Sequence, residues 1–419
     1  MSDHDPNIPG LHIRPARGWL NDPNGLCLID GRYHVFFQYN PDAPVHGDIV
    51  WGHASSTDLV RWTEHPIALH RRPGTVTAAG CWTGCVVDDD GVPTAVHTAV
   101  HDHAGNAQPA LARSDRELIA WQQDDHGVLP PPDDPAFTDV RDPFVVTVAG
   151  HRYAIQGAGR PGGEPAVLLH GCDRLDEWTE LGRLVDHADP IAATHAPGSI
   201  WECPNLAPID GRWVLIISLI REPDTAVASD VAYLIGDLVE AGAGLRFVAT
   251  AGGALDTGPT FYAPQLLPLP DRTLLWGWAR DTGRPAGDAA ASGWAGALTY
   301  PRELGIAGNV LISRPARELT ALRRAPLDPA QPIAESAFEI AGRFRGRFTL
   351  LLDDRPVLEL TGPTETGLRI LVDGSLVEAF VEGRQPVTTR GYPGHGSRWR
   401  IEAAAAELDG WRHGLPPDV

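Results

Sequence analysis

Three acidic residues stand in short turn-forming blocks, each within two residues of a proline. The blocks are Asn21-Asp22-Pro23-Asn24-Gly25, Arg141-Asp142-Pro143 and Glu202-Cys203-Pro204-Asn205. Asn, Asp, Pro and Gly favour tight turns, so the first block presents Asp22 on a stiff backbone at the mouth of a strand-like run, Leu26 to Tyr39. A rigidly held carboxylate suits nucleophilic catalysis. Taken alone, each block reads as an ordinary turn. Their spacing says more: Asp22, Thr83, Asp142, Glu202 and Tyr262 follow one another about 60 residues apart. Carboxylates gathered in one place repel, which raises at least one pKa and lets one acid donate a proton while another stays ionised. Arg141, next to Asp142, is expected to keep Asp142 charged.

The elements that would position these residues repeat with the same period. Ser56-Thr57-Asp58-Leu59-Val60-Arg61-Trp62 recurs loosely as Ser114 to Trp121 and again as Cys172 to Trp178, with a worn fourth copy in Gly236-Asp237-Leu238 and Phe247. About 60 residues is the size of a four-stranded propeller blade with its loops. In such a repeat, an Asp turn followed by a buried Trp marks each outer strand. Short apolar runs such as Tyr33 to Phe37, Pro143 to Val148 and Val214 to Ser218 are bounded by Gly, Pro and Asp. Asp30-Gly31, Ala149-Gly150 and Asp210-Gly211 have the form of hairpin turns. The reading is an all-β chain with a five-bladed β-propeller, spanning about residues 10 to 310, in a domain of residues 1–312. A small β-sandwich with a lightly packed tail fills 313–419. Its strands are Phe348 to Leu352, Leu368 to Val372 and Leu376 to Val381, with a turn at Asp373-Gly374, and Arg314 to Pro332 is the link. If each blade gives its innermost strand to a central channel, the spaced series meets at one end of it, where a ligand site belongs.

Composition narrows the chemistry. The formal charge is −20, which repels phosphate backbones and anionic lipid, so neither nucleic acid nor membrane is an expected partner. No Lys occurs, which removes Schiff-base, pyridoxal-phosphate and P-loop chemistry. Met1 to Gly10 has no basic and apolar leader pattern, and no apolar run is long enough to span a bilayer, so a cytoplasmic place is expected. Five scattered cysteines read as reduced thiols. Gly157 to Gly162 matches a dinucleotide fingerprint but opens into a strand, so it reads as a hairpin loop. His97, His101 and His103 read as a solvated loop and Asp88-Asp89-Asp90-Gly91 as a hairpin turn, leaving no metal and no cofactor in the expected chemistry.

Taken together, the three acidic blocks resemble family 32 of the glycoside hydrolases, the invertases, levanases, inulinases and related β-fructosidases. The likeness extends to Phe37 to Pro41, Trp51-Gly52-His53, Gly258 to Gln265 and Leu371 to Val381, and so covers most of the chain. It implies a five-bladed propeller with an appended sandwich and cleavage of β-fructosides with retention. It further implies Asp22 as nucleophile, Glu202 as acid/base and Asp142 as transition-state stabiliser. Asn21, Gln38, Trp51, Arg141 and Trp278 would line a fructosyl pocket, with Trp82 and Thr83 beside them. A retaining glycosidase needs two carboxyl groups about 5–5.5 Å apart, one ionised and one protonated. The chain departs from the family pattern at Cys81-Trp82-Thr83-Gly84-Cys85, at Val140 and in its shorter sandwich. Sucrose or a short fructo-oligosaccharide is the expected small-molecule partner. Fructosyl transfer, attack on levan or inulin, an arabinoside- or xyloside-cleaving propeller, and a non-catalytic sugar-binding propeller are the alternatives. The sequence carries no signal for oligomeric state or linkage preference.

Overall fold

Four two-residue turns set the period of the molecule. Asp30-Gly31, Asp90-Gly91, Ala149-Gly150 and Asp210-Gly211 all have positive φ, from 46° at Asp210 to 89° at Gly91. Two left-handed residues in succession make the hairpin turn whose twist matches paired strands. Each turn joins an innermost strand to its neighbour. The computed structural model describes residues 5–102, 107–132, 134–221, 229–285 and 287–417. Within them, the innermost strands of five blades are Gly18–Ile29, Gly80–Asp89, Asp139–Val148, Ile200–Ile209 and Phe261–Pro268. Three further antiparallel strands follow each one outward. The innermost strands touch in cyclic order, the fifth against the first. The ring also closes through Trp294–Ala295, which pairs in parallel with Gly18 and Trp19.

The apolar core lies in layers between blades. Phe36, Trp51, Cys81 and Ala112 fill the seam of blades one and two, and Ile216, Tyr233, Phe261 and Leu275 that of blades four and five. The repeat markers sit at the start of each outermost strand. Trp178 and Phe247 are buried there, whereas Trp62 and Trp121 are half-buried. Asp237 and Leu238 lie within a strand, so the fourth copy keeps its aromatic and loses its turn. His97 is on the second strand of blade two and fully buried, not in a solvated loop; His103 lies outside the described residues.

The sandwich is one six-stranded antiparallel sheet folded over on itself. Ala337–Leu352, Arg355–Asp373 and Trp399–His413 are long and irregular near their middles. Both ends of each strand therefore feed one core, which joins Phe338 to Leu352 and Leu358 to Val372. The segment expected to be a link is ordered structure. It holds the end of the blade-five strand Val310–Pro315, a 3-10 turn at Arg317–Leu322 and the edge strand Arg323–Leu327. The tail is likewise strand as far as His413, whose Nε2 lies 3.1 Å from Glu339. The hairpin turn is Gly374-Ser375, one residue later than expected. Asp373 instead accepts the backbone N–H groups of Gly10 and Leu11 at 2.9 and 2.7 Å, pinning the N-terminal segment to the sandwich. No described helix is long and apolar enough to cross a membrane.

Candidate active site

Each innermost strand slips register against its partner at the same height. The slips fall between Leu20 and Pro23, Cys81 and Gly84, Glu202 and Asn205, and Tyr262 and Gln265, and in blade three opposite Asp142 and Pro143. A bulge breaks strict alternation and re-aims side chains. Aligned on Pro23, Gly84, Pro143, Pro204 and Pro264, the two positions before each build two rings. The outer ring is Asn21, Trp82, Arg141, Glu202 and Tyr262. The inner ring is Asp22, Thr83, Asp142, Cys203 and Ala263. The last three inner residues adopt φ of 60°, 45° and 43°, the left-handed region. The second strands add a third ring alongside the outer one: Gly157, Ser218 and Trp278 pair with Arg141, Glu202 and Tyr262, and Gln38 and Thr98 lie opposite the slips at Asn21-Asp22 and Trp82-Thr83. The single series expected from spacing thus joins two rings, since Glu202 and Tyr262 belong to the outer one.

The acids meet through named contacts. Asp22 Oδ2 accepts from the Thr83 hydroxyl at 2.6 Å and the Gln38 amide at 3.0 Å, and its Oδ1 accepts from the Asn21 amide at 3.1 Å. Asp142 Oδ2 accepts the Cys203 backbone N–H at 2.9 Å. The Cys203 thiol lies 3.6 Å from Asp22 Oδ2 and 3.5 Å from Asp142 Oδ2, bridging the two carboxylates. Glu202 Oε1 is 3.3 Å from Arg141 Nη1, and its Oε2 accepts the Tyr262 hydroxyl at 2.8 Å. Asp22 and Asp142 are buried; Trp19, Trp82, Arg141, Glu202, Tyr262 and Trp278 are half-buried around them. Trp19 donates to Asn21 at 3.1 Å and meets Trp278 edge-on at 5.4 Å. Buried acids under a half-open wall of aromatic rings suit a sugar, whose apolar face packs on rings while its hydroxyls reach polar groups.

Two expectations are corrected. Trp51 has no exposed surface, so it cannot line a pocket. It packs below Gly25, where an added Cβ would stand 3.0 Å from the indole, and it donates to the Trp82 carbonyl at 2.9 Å. Trp51 therefore holds Trp82 from behind. Arg141 turns its guanidinium to Glu202 and Asp139, so its charge offsets the burial of Asp142 only in part. Burial, with the charges of Glu202 and Asp22, pushes the Asp142 carboxyl well above the ordinary carboxylate range despite Arg141. Sequence reasoning left out Cys203, put Tyr262 in the spaced series without giving it a contact in the pocket, and left out Trp19. The proline alignment carries the signal for the first two, since each holds a ring position.

Burial also lifts Asp22, to about 6, against the lowering effect of the Thr83 hydrogen bond and with help from the Glu202 charge. A carboxylate attacks only when ionised, so activity falls as pH drops through this value. The acid limb of kcat/KM is expected near pH 6. In Glu202→Gln, tested on an aryl β-fructofuranoside whose leaving group needs no proton, the limb moves to lower pH. An unmoved limb would separate the two groups. The thiol of Cys203 and the hydroxyl of Tyr262 are pushed well above their usual values, chiefly by burial, and stay protonated donors.

Comparison with known proteins places this geometry. Residues 12–315 match the family model "Glycosyl hydrolases family 32 N-terminal domain" and residues 314–407 match "Glycosyl hydrolases family 32 C terminal". The chain belongs to glycosyl hydrolase family 32. It is a glycoside hydrolase, as that family is. Among family 32 relatives, a sucrose-6-phosphate hydrolase of Klebsiella pneumoniae is 33% identical over 93% of this chain and 90% of its own length. A fructan 1-exohydrolase of Triticum aestivum is 33% identical over 75% of this chain and 55% of its own. A solved family 32 β-fructofuranosidase of Bombyx mori superposes with a TM-score of 0.83 at 23% identity, covering 99% of this chain and 96% of the other, and shares the fold.

Proposed function

We propose that this protein is a retaining β-fructosidase that hydrolyses sucrose or short β-fructo-oligosaccharides through a covalent fructosyl-enzyme. The observation that carries the reading is Asp22: a buried carboxylate held by side-chain hydrogen bonds from Asn21, Gln38 and Thr83, in the inner ring, with Glu202 in the outer one. Asp22 attacks the anomeric carbon as Glu202 gives a proton to the departing glycosidic oxygen. Glu202 then takes a proton from water, whose oxygen displaces Asp22 and frees fructose. Asp142 accepts hydrogen bonds from fructosyl hydroxyls, which tighten as positive charge builds on the ring. Arg141 and Tyr262 orient Glu202, Asn21, Gln38 and Thr83 hold Asp22, and Trp82 and Trp278 flank the sugar. The names of the sucrose-6-phosphate hydrolase and fructan exohydrolase relatives support a β-fructoside as substrate.

The test follows glucose and fructose separately during incubation with sucrose, with sucrose 6-phosphate in parallel. Equal release of fructose and of glucose, or glucose 6-phosphate, is expected. An excess of the glucose product marks transfer to a sugar acceptor. Binding without release from either substrate, from kestose or from inulin overturns the enzyme reading.

A further inference from the structure

The bulges that turn the rings inward also strip backbone groups of ladder partners. Between Cys81 and Gly84 the pairing to the second strand is lost, so the Thr83 carbonyl has no partner there. The Asp142 N–H sits at a left-handed residue at the edge of the next blade. Both groups are buried, and a buried backbone group without a partner is costly. One side chain serves both. The Thr98 hydroxyl donates to the Thr83 carbonyl at 3.0 Å and accepts the Asp142 N–H at 2.8 Å.

We propose that Thr98 is a positioning residue for the reaction, setting the place of Asp142 relative to Asp22. The proposal rests on the β-fructosidase reading above. Thr98 is 1% exposed, so it acts through other groups and touches no substrate. Its links run both ways. Thr83, whose carbonyl it holds, donates its own hydroxyl to Asp22 at 2.6 Å. Asp142, whose N–H it holds, accepts in turn from the backbone of Cys203 in blade four. A single hydroxyl thereby joins the strand of Thr83, which holds the attacking Asp22, to the strand of the stabilising Asp142 across the seam of blades two and three. The equivalent positions carry unlike side chains: Gln38, Gly157, Ser218 and Trp278. Gln38 works in the same way one blade earlier, bridging Asp22 Oδ2 and Thr83 Oγ1 at 3.0 and 2.6 Å.

Thr98→Val keeps shape and removes the hydroxyl. Displacing a reacting group by about 1 Å costs about 10²-fold in rate, so kcat on sucrose is expected to fall roughly 10–100-fold. Thr98→Ser, which keeps the hydroxyl, is expected to stay within about threefold of the wild type. The decisive reading is a double-mutant cycle, which isolates coupling between neighbours. In an Asp142→Ala background, Thr98→Val should cost almost nothing more. If the valine variant melts below the assay temperature, Thr98→Cys, a weaker hydrogen-bonding group of similar shape, is read in the same cycle. Full activity in the variant, or an equal loss with and without Asp142, overturns the proposal. A wild type inactive on every β-fructoside overturns the underlying reading instead.

Discussion

Replacing Asp22 with Ala is expected to lower kcat on sucrose by about 10⁴-fold or more, the scale seen when a covalent nucleophile is removed. The expectation follows from how the group is held. Asn21, Gln38, Thr83 and the Cys203 thiol donate to its two oxygens, and none of them stands in for it at the anomeric carbon. Thr83 and Gln38 also bond each other at 2.6 Å, so the pocket keeps its frame without the carboxylate. The fold should not suffer. Asp22 is lifted from 3.8 to about 6, chiefly by burial. A carboxyl raised in the folded state detracts from stability as pH climbs from its unfolded value through its folded one. Asp22→Ala should therefore melt no lower than the wild type at pH 8, apart from the loss of its hydrogen bonds. Activity within tenfold of the wild type, with the fold intact, would remove Asp22 from the chemistry.

The fold was legible because its period was written twice. The Asp-Gly and Ala-Gly turns need two left-handed residues, which few sequences satisfy by chance, and they recur with the blades. The site was legible to the extent that its residues occupy repeat positions. Asp22, Thr83, Asp142, Asn21, Trp82, Arg141, Glu202, Gln38 and Trp278 all fall on the three rings. Trp51 does not, and it is the one that proves to be packing. The offset of Glu202 and Tyr262 from the other three could not be read from spacing alone. A strand shows alternate residues to one side, but a bulge brings two neighbours to the same channel. The left-handed residue before each proline in blades three to five gives the alignment, and Cys203 and Ala263 do not announce that conformation. The partner of Arg141 was hidden for a related reason: as an outer-ring residue it reaches Glu202 of the same ring.

Arg302→Leu should be the most destabilising single change at the joint between propeller and sandwich, costing about 3–5 kcal/mol. Arg302 is fully buried. It donates to Glu378 of the sandwich at 3.1 and 2.6 Å, to Asp256 between blades four and five at 2.8 Å, and to Thr388 at 2.6 Å. Removing it leaves two buried carboxylates without the cation they share. The cost therefore comes from the orphaned acids more than from the lost pair. Arg302→Leu combined with Asp256→Leu and Glu378→Leu should recover much of the loss, as measured by urea denaturation. A triple variant no more stable than the single would show that packing, not charge, sets the joint. His12 adds a pH dependence. Burial opposes its charge, but hydrogen bonds to Asp373 and Glu378 outweigh burial and raise its pKa above 6.5. Its contribution is complete below that ordinary value and fades as pH rises through the higher folded one. Because Glu378 is shared by His12, Arg302 and the Tyr300 N–H, the N-terminal segment, blade five and the sandwich should loosen together as His12 loses its proton.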